Sequence, residues 1–363
     1  MIDRVHLREI DWVLIGLLLV NSVIGILLIY SASRYQPGNF YVRQVIWLLV
    51  SLAVLFLALS IDYKILIGFS PYVYVLFILV LGGLLFFGKG IGGARSWIRV
   101  TIFGGQPSEL AKVALILVLA RIFSEFRRTH LSLDFAALSA LVVFVPVAMV
   151  ALQPDLGTAI SFLSILFGCL VLAGMNKKAL AILLVGTILV SFTGWNFFLK
   201  DYQKKRLTTL VNPSQDPRGS GYHILQSKIA IGSGGVAGKG FKKGTQSQLR
   251  FLPARHTDFI FSVLGEEFGF LGVFIVFLSY FFFLARLFRS VDKSRDRSGI
   301  YIVFMTTCLL TFQFLVNVMM IVGLFPITGI PIPLLSYGGS SLLTTYLAVG
   351  LVVNVKMRRF VNV

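Results

Sequence analysis

The chain has 363 residues, of which 57% are hydrophobic and only 13% charged, with a mean hydropathy of +0.87. A soluble domain is about 45–50% apolar and about 25% charged, so a soluble enzyme is excluded. Thirty-three Lys and Arg stand against 15 Asp and Glu, a formal charge of +18, and so apolar a chain must concentrate that charge in particular places.

Spanning a hydrocarbon core of about 30 Å takes about 20 apolar residues as a helix. Ten runs of that kind are predicted, at 12–30, 42–60, 71–88, 108–124, 134–152, 157–173, 178–198, 259–285, 300–324 and 336–355. The fold class expected is therefore all-α, a polytopic membrane domain over 1–363. Ser31-Ala32-Ser33 follows the first run as a cleavage site would. The run is nevertheless longer than the roughly 7–15 residues of a signal-peptide core, and is read as a retained span. Cys169 and Cys308 both lie in apolar runs, which disfavours a disulfide framework or a cysteine metal site. His6, His130, His223 and His256 are far apart and show no metal-ligand spacing. The basic residues form no soluble basic domain, so no nucleic-acid partner is expected.

Sixteen cations fall at the N-terminus, in the even-numbered loops and at the C-terminus, against five in the short odd-numbered loops. The positive-inside rule then predicts both termini in the cytoplasm. Eleven more cations occupy one connection, 199–258, against Asp201, Asp216 and Asp258. This topology puts that segment outside, as a large extracytoplasmic loop between spans seven and eight. Loops beyond about 12–15 residues are usually functional or disordered. The apolar interval Ile224–Ile231 and the glycines around it predict partly ordered structure lying on the membrane.

Ionisable groups in or beside spans are costly and are functional candidates by default. Glu109 and Lys112, three apart at the start of span four, share one helix face, as a structural ion pair, a functional pair or both. Asp155, in the tight turn Gln153–Gly157, suits a helix cap as well as a functional acid. Glu266 and Glu267 sit in the first turns of span eight, where one should pair with a basic loop residue. Asp258 stands in Arg255-His256-Thr257-Asp258-Phe259-Ile260-Phe261, where the basic loop returns to the membrane. It can be a partly desolvated general base or an N-cap of span eight. The topology places Glu109, Lys112, Asp155 and Asp258 on the outer side. The stretch Gly232–Gly240 has Ser233 and Gly240 where a nucleotide phosphate loop requires Gly and Ser or Thr, so it is read as a flexible basic loop suited to lipid phosphates. Phe325–Pro333, uncharged and with three prolines, cannot be a continuous helix.

Seven motifs in order carry a resemblance across essentially the whole chain. They are Gly93-Ala94-Arg95-Ser96-Trp97-Ile98, Gln106-Pro107-Ser108-Glu109-Leu110-Ala111-Lys112, Gln153-Pro154-Asp155-Leu156-Gly157-Thr158, His256-Thr257-Asp258-Phe259-Ile260-Phe261, Gly265-Glu266-Glu267-Phe268-Gly269, Thr328-Gly329-Ile330-Pro331-Ile332-Pro333 and Ser336-Tyr337-Gly338-Gly339-Ser340. At these positions the chain resembles the SEDS family (shape, elongation, division and sporulation). Its short termini and compact length are more similar to the RodA branch than to the division branch. Ser96 is a minor departure, since a second basic residue is common there.

The resemblance implies a peptidoglycan glycosyltransferase that polymerises lipid II into a growing glycan strand at the outer face of the cytoplasmic (inner) membrane. It implies a catalytic role for Asp258 and substrate-binding roles for Glu109, Lys112 and Asp155, with Arg255 and Arg95 as further cations for the pyrophosphate. A class B penicillin-binding protein and the cell-elongation machinery are the implied partners, besides membrane lipids. A divalent cation (Mg or Mn) is compatible with pyrophosphate chemistry, although the sequence shows no metal site. Two other readings stand beside this one: a flippase for the lipid-linked precursor, and a non-catalytic scaffold for the transpeptidase.

Overall fold

The computed structural model describes residues 9–34, 37–91, 94–100, 103–125, 133–174, 201–211, 216, 219–249, 251–252 and 254–358. The helices are α1 (Trp12–Ala32), α2 (Phe40–Ser60), α3 (Tyr63–Phe87), α4 (Pro107–Glu125), α5 (Leu133–Leu152), α6 (Leu156–Leu172), α7 (Asp201–Val211), α8 (Ser220–Gly234), α9 (Thr245–Gln248), α10 (Ile260–Arg289), α11 (Arg297–Ile321) and α12 (Gly339–Met357). Among the described residues α1, α2, α3, α10, α11 and α12 are long and apolar enough to cross a membrane, and the apolar stretches in α5 and α6 are shorter. Each apolar run read from the sequence coincides with a helix except 178–198, which lies outside the described residues.

The all-α expectation needs one correction. Residues 89–105, read as a loop, contain a small antiparallel sheet of β1 (Lys89–Ile91), β2 (Ala94–Val100) and β3 (Phe103–Gly105), in that order. Lys89 pairs with Trp97, and Val100 with Phe103. The last strand ends at Gly105, so the sheet delivers Gln106 directly to the start of α4.

The third span is also longer than its sequence signal, because α3 runs through Pro71. A proline inside a helix removes the donor to the carbonyl four residues before it, and lipid offers no substitute. Ser70 supplies one, donating its hydroxyl to Ile67 O at 2.7 Å. The same solution serves Pro146 in α5, where Tyr74 Oη donates to the Val142 carbonyl at 2.7 Å. That bond also ties α3 to α5.

Helix α12 is the centre of the bundle, packed on α2, α11 and α4, and most of its apolar length is buried, whereas most of α3 is not. On the face that carries the N-terminus, polar side chains close the packing. Asp11 caps α1 by accepting from Leu14 N at 3.1 Å. It also takes Arg286 of α10, Nε to Oδ2 at 2.9 Å, and Lys356 of α12. Burial opposes its ionisation, but the two cations prevail and hold its carboxyl below the ordinary value. Beside it, Asn354 donates to Leu59 O at 3.3 Å, Arg358 reaches Asp62 at 3.5 Å, and Tyr63 Oη donates to Asp296 at 2.7 Å.

Helix α10 is interrupted at Gly269, whose φ of 64° and ψ of −160° break the helical ladder. The backbone groups freed by that break are paired by the glycine-rich stretch after α8. Lys239 N and Gly240 N donate to the carbonyls of Glu266 and Glu267 at 3.0 and 2.9 Å. Phe270 N and Leu271 N donate to Gly235 O and Val236 O at 2.9 and 3.1 Å. A Cβ on Gly269 would collide with Gly238 N. The stretch is thus a backbone splint for a discontinuous helix.

Candidate active site

On the face opposite the termini, three turns converge. The first joins α5 to α6 through Gln153–Asp155. Asp155 is the N-cap of α6, accepting from Thr158 N at 3.1 Å and from Thr158 Oγ1 at 2.9 Å. Its other contact is Gln106 Nε2 at 2.7 Å, and Gln106 N in turn donates to Ser340 Oγ at the start of α12 at 2.9 Å. The cap is real, and Gln106 also links this carboxylate to α4 and α12. Within α4, Lys112 Nζ lies 2.6 Å from Glu109 Oε1, both buried. Burial raises the Asp155 pKa above its ordinary value, and the Glu109 charge adds to the effect, against the Thr158 hydrogen bonds and Lys112.

The second turn is residues 254–259. Thr257 N, Asp258 N and Phe259 N converge on Ala254 O at 3.1, 3.0 and 3.3 Å. The N-cap of α10 is Phe259, without a side-chain cap bond. Asp258 therefore does not cap the helix, and its carboxylate is left for other contacts. His256 is set between Phe40 and Tyr337, with ring centroids 4.5 and 5.6 Å away, and its carbonyl accepts from Tyr337 N at 2.8 Å. Burial, with Arg255 adjacent, lowers the His256 pKa to about 4, so this imidazole is a neutral spacer at pH 7.

The third turn is the proline-rich connection from α11 to α12. Asn317, wholly buried in α11, donates to Ile330 O at 2.6 Å and to Asp258 O at 3.0 Å. One amide thus sets the second and third turns against each other. Gly157 closes the triangle, since a Cβ there would collide with Thr328 O. Asp258 Oδ2 lies 3.7 Å from where a Cβ of Gly329 would be. Thr328 Oγ1 is buried and has no hydrogen-bond partner among the described residues.

Asp258 is partly exposed at this junction. Burial raises its pKa from 3.8 to about 6, against the Thr257 hydrogen bond and the Arg206 charge and with the Asp155 charge adding to it. A carboxylate with a pKa near 6 is ionised at pH 7 and more basic than an ordinary aspartate, as a general base should be. The outward acids read from the sequence are thus in electrical contact: Glu109 acts on Asp155, and Asp155 acts on Asp258.

Two other residues fall differently. Arg255, read as a substrate cation, is fully buried. Its Nε donates to Ala32 O at 2.6 Å and its Nη1 to Ser247 O. It fastens the loop to α1, because a guanidinium in this loop finds backbone carbonyls within reach. Arg95 lies on β2, and its side chain is outside the described residues. Lys239 is the loop partner sought for the glutamate pair, 2.8 Å from Glu266 Oε1. Glu266 also accepts from Gln246 N and Ser247 N at 2.8 and 2.9 Å, while Glu267 accepts from Ser31 Oγ at 2.5 Å. Gln106, Asn317 and Arg206 were not singled out from the sequence. Among the described residues no group of three His, Cys, Asp or Glu could hold a metal ion.

Comparison with known proteins shows the family and the overall fold. The FtsW/RodA/SpoVE family model, described as a cell cycle protein, matches residues 11–360. The chain is 37% identical to peptidoglycan glycosyltransferase MrdB of Escherichia coli (strain K12) over 361 residues, covering 98% of this chain and 95% of that one. It is 32% identical to peptidoglycan glycosyltransferase RodA of Treponema pallidum (strain Nichols), covering 97% and 98%. Its fold is similar to a chain of a peptidoglycan synthase complex described as coordinating polymerization and crosslinking, at a TM-score of 0.82 and 31% identity, covering 97% and 98%. It is similar as well to the rod shape determining protein RodA of Thermus thermophilus, at a TM-score of 0.74 and 31% identity over the same shares. With the family model matched over nearly its whole length, the chain belongs to the FtsW/RodA/SpoVE family.

Proposed function

We propose that this protein is a peptidoglycan glycosyltransferase that joins lipid II units into glycan strands at the outer face of the bacterial cytoplasmic membrane, in cell elongation. The observation that carries this is Asp258: a carboxylate with a pKa near 6, partly exposed, fixed by its own backbone turn and by Asn317. The names of the relatives supply the reaction class. In this reading ten spans cross the membrane, both termini are cytoplasmic, and the junction of the three turns faces outward.

The step is a single displacement with inversion. Asp258 takes the proton of the acceptor sugar's 4-hydroxyl as that oxygen forms a bond to the donor's anomeric carbon. The bond from that carbon to the pyrophosphate oxygen breaks, and the lipid pyrophosphate leaves with the electron pair. General-base help of this kind contributes about 10²–10⁴-fold. Asp155, held by Gln106 and Thr158, and the buried Glu109–Lys112 pair within α4 are assigned to substrate binding in this reading. A Mg or Mn ion enters this reading only as a counter-ion carried by the pyrophosphate, with no residue here assigned to it. A class B penicillin-binding protein is the proposed partner, in line with the similarity to a synthase complex that couples polymerization to crosslinking.

The test is reconstitution into vesicles with lipid II supplied on the accessible leaflet, with and without that partner. Glycan polymer from the wild-type protein, and none from folded Asp258→Asn protein, is the expected outcome. Lipid II movement across the bilayer without polymer would favour a flippase, and rescue of wall synthesis by Asp258→Asn would favour a scaffold.

A further inference from the structure

Asp258 lies in a turn whose backbone is strained. Ala254, which opens it, has a φ of 48°, a left-handed value that a residue other than glycine keeps only where its surroundings impose it. The Ala254 carbonyl accepts from Thr257 N, Asp258 N, Phe259 N and Thr257 Oγ1, at 3.0–3.3 Å. The Asp258 carbonyl is not taken up by α10, because Ser262 N and Val263 N both donate to Phe259 O, at 3.0 and 3.4 Å. It is met instead by Asn317 Nδ2 at 3.0 Å, and the same nitrogen meets Ile330 O at 2.6 Å.

An amide suits this place because its two N–H groups diverge from one nitrogen and can serve two carbonyls, whereas a hydroxyl can donate to only one. The partners also fix its orientation, since turning it over would set Oδ1 against both carbonyl oxygens. That Oδ1 is buried with no hydrogen-bond partner among the described residues. An unpaired buried acceptor lowers stability, so this side chain places two donors at a cost to the fold. It does so from a firm support: Asn317 is wholly buried one turn before the end of α11, and α11 packs on α4, α6, α10 and α12.

We propose that Asn317 is a positioning residue for the base: by holding the Asp258 and Ile330 carbonyls on one nitrogen, it sets the Asp258 carboxylate at the Gly329 backbone in the orientation that takes the acceptor's proton. This deepens the glycosyltransferase reading and rests on it. Without the amide the turn stays attached two residues earlier, where Tyr337 N donates to His256 O at 2.8 Å. Asp258 would then pivot about that bond and swing outward, and a misplacement of about 1 Å can cost about 10²-fold in rate. Its acidity would follow. Burial is the main cause of the raised Asp258 pKa of about 6, which Asp155 in the α5–α6 turn promotes and Thr257 and the Arg206 charge of α7 oppose. A carboxylate that gains hydration returns toward 3.8, so the acid limb of the pH profile should move down. His256, in the same turn, has a pKa of about 4 and stays neutral near pH 6.

The test is lipid II polymerisation by the full-length protein in nanodiscs, with the class B partner present, at several pH values. Asn317→Leu, close in volume but with no donor, should lower kcat about 10–100-fold and leave the KM for lipid II within about twofold. It should also move the acid limb of kcat/KM down by about half a pH unit or more. Asn317→Ser, with one donor, should fall between that variant and the wild type in both rate and acid limb. A purely structural residue would lower only the yield of folded protein; wild-type kcat and an unmoved acid limb per folded molecule would therefore overturn the proposal. A raised KM at unchanged kcat would overturn it too, by assigning Asn317 to binding. Failure of both variants to fold would do the same, because a positioning residue is dispensable for the fold. Wild-type protein that makes no glycan would instead sink the polymerase reading, whereas an active wild type matched by folded Asn317→Leu would sink this proposal alone.

Discussion

Asp11 and Asp258 are the same residue type at opposite ends of the bundle, and their surroundings are opposite too. Asp11 is buried at the terminal face with a helix N-terminus, Arg286 and Lys356 on its oxygens, and its acidity is strengthened despite burial. Asp258 is fixed through its backbone, keeps its carboxylate partly exposed, and has its acidity weakened to a pKa of about 6. A paired carboxylate serves stability, whereas one left desolvated beside another acid is poised for proton transfer. The terminal face is where the protein is latched, and the opposite face carries the proposed site of reaction.

This contrast can be broken by experiment. The largest effect expected is on turnover: Asp258→Asn should lower lipid II polymerisation about 10²–10⁴-fold without lowering the melting temperature. Asp11→Ala should do the reverse. Lys356, nearly buried, would lose its partner, and breaking a buried ion pair costs about 3 kcal/mol or more; Arg286 stays partly wet and adds little. Chemical unfolding in detergent measures that loss, and activity per folded molecule should hold. Gly269→Ala comes next, at about 1–3 kcal/mol for a strained left-handed residue together with loosening of the loop. Limited proteolysis within 232–248 should then accelerate, and an unchanged digestion pattern would contradict the splint.

Acidity sharpens the comparison further, with opposite signs. Asp258 has a folded pKa of about 6 against an ordinary 3.8. Protonation between those values therefore favours the folded state while removing the base. The kcat/KM should fall about tenfold per pH unit below roughly 6. Asp11 has a lowered folded pKa, so its contribution is complete above 3.8 and is lost only as pH falls through the lower folded value. The activity should therefore fail at higher pH than the latch. The smallest effect expected is Ser70→Ala, about 0.6 kcal/mol for one hydrogen bond within the membrane, read by the same unfolding assay.

Much of this was legible in the sequence because it depends on length and local spacing. The apolar runs other than 178–198 coincide with helices, and the tight turn at Gln153–Asp155, the Glu109–Lys112 pair three residues apart and the position of Asp258 just ahead of α10 follow the local spacing. What was not legible depends on partners far along the chain. Arg206 meets Ile327 across 121 residues, and Asn317 meets Asp258 across 59; neither has a local pattern to mark it. Arg255 illustrates the converse, since a loop arginine looks the same in sequence whether it points to substrate or to a backbone carbonyl. Pro71 was read as a helix start because the bond that rescues it comes from the Ser70 side chain. The glycine-rich stretch resembles an anion-binding loop because both uses require bare backbone, and only the break at Gly269 shows which backbone it meets.

The central claim is that Asp258 is the base, and lipid II polymerisation by folded Asp258→Asn protein tests it most directly. The assay is best run beside Asp11→Asn at matched folded concentration. The expected result is no detectable glycan from Asp258→Asn at unchanged stability, with near wild-type product per molecule from Asp11→Asn. Glycan strands made by Asp258→Asn at the wild-type rate would contradict it.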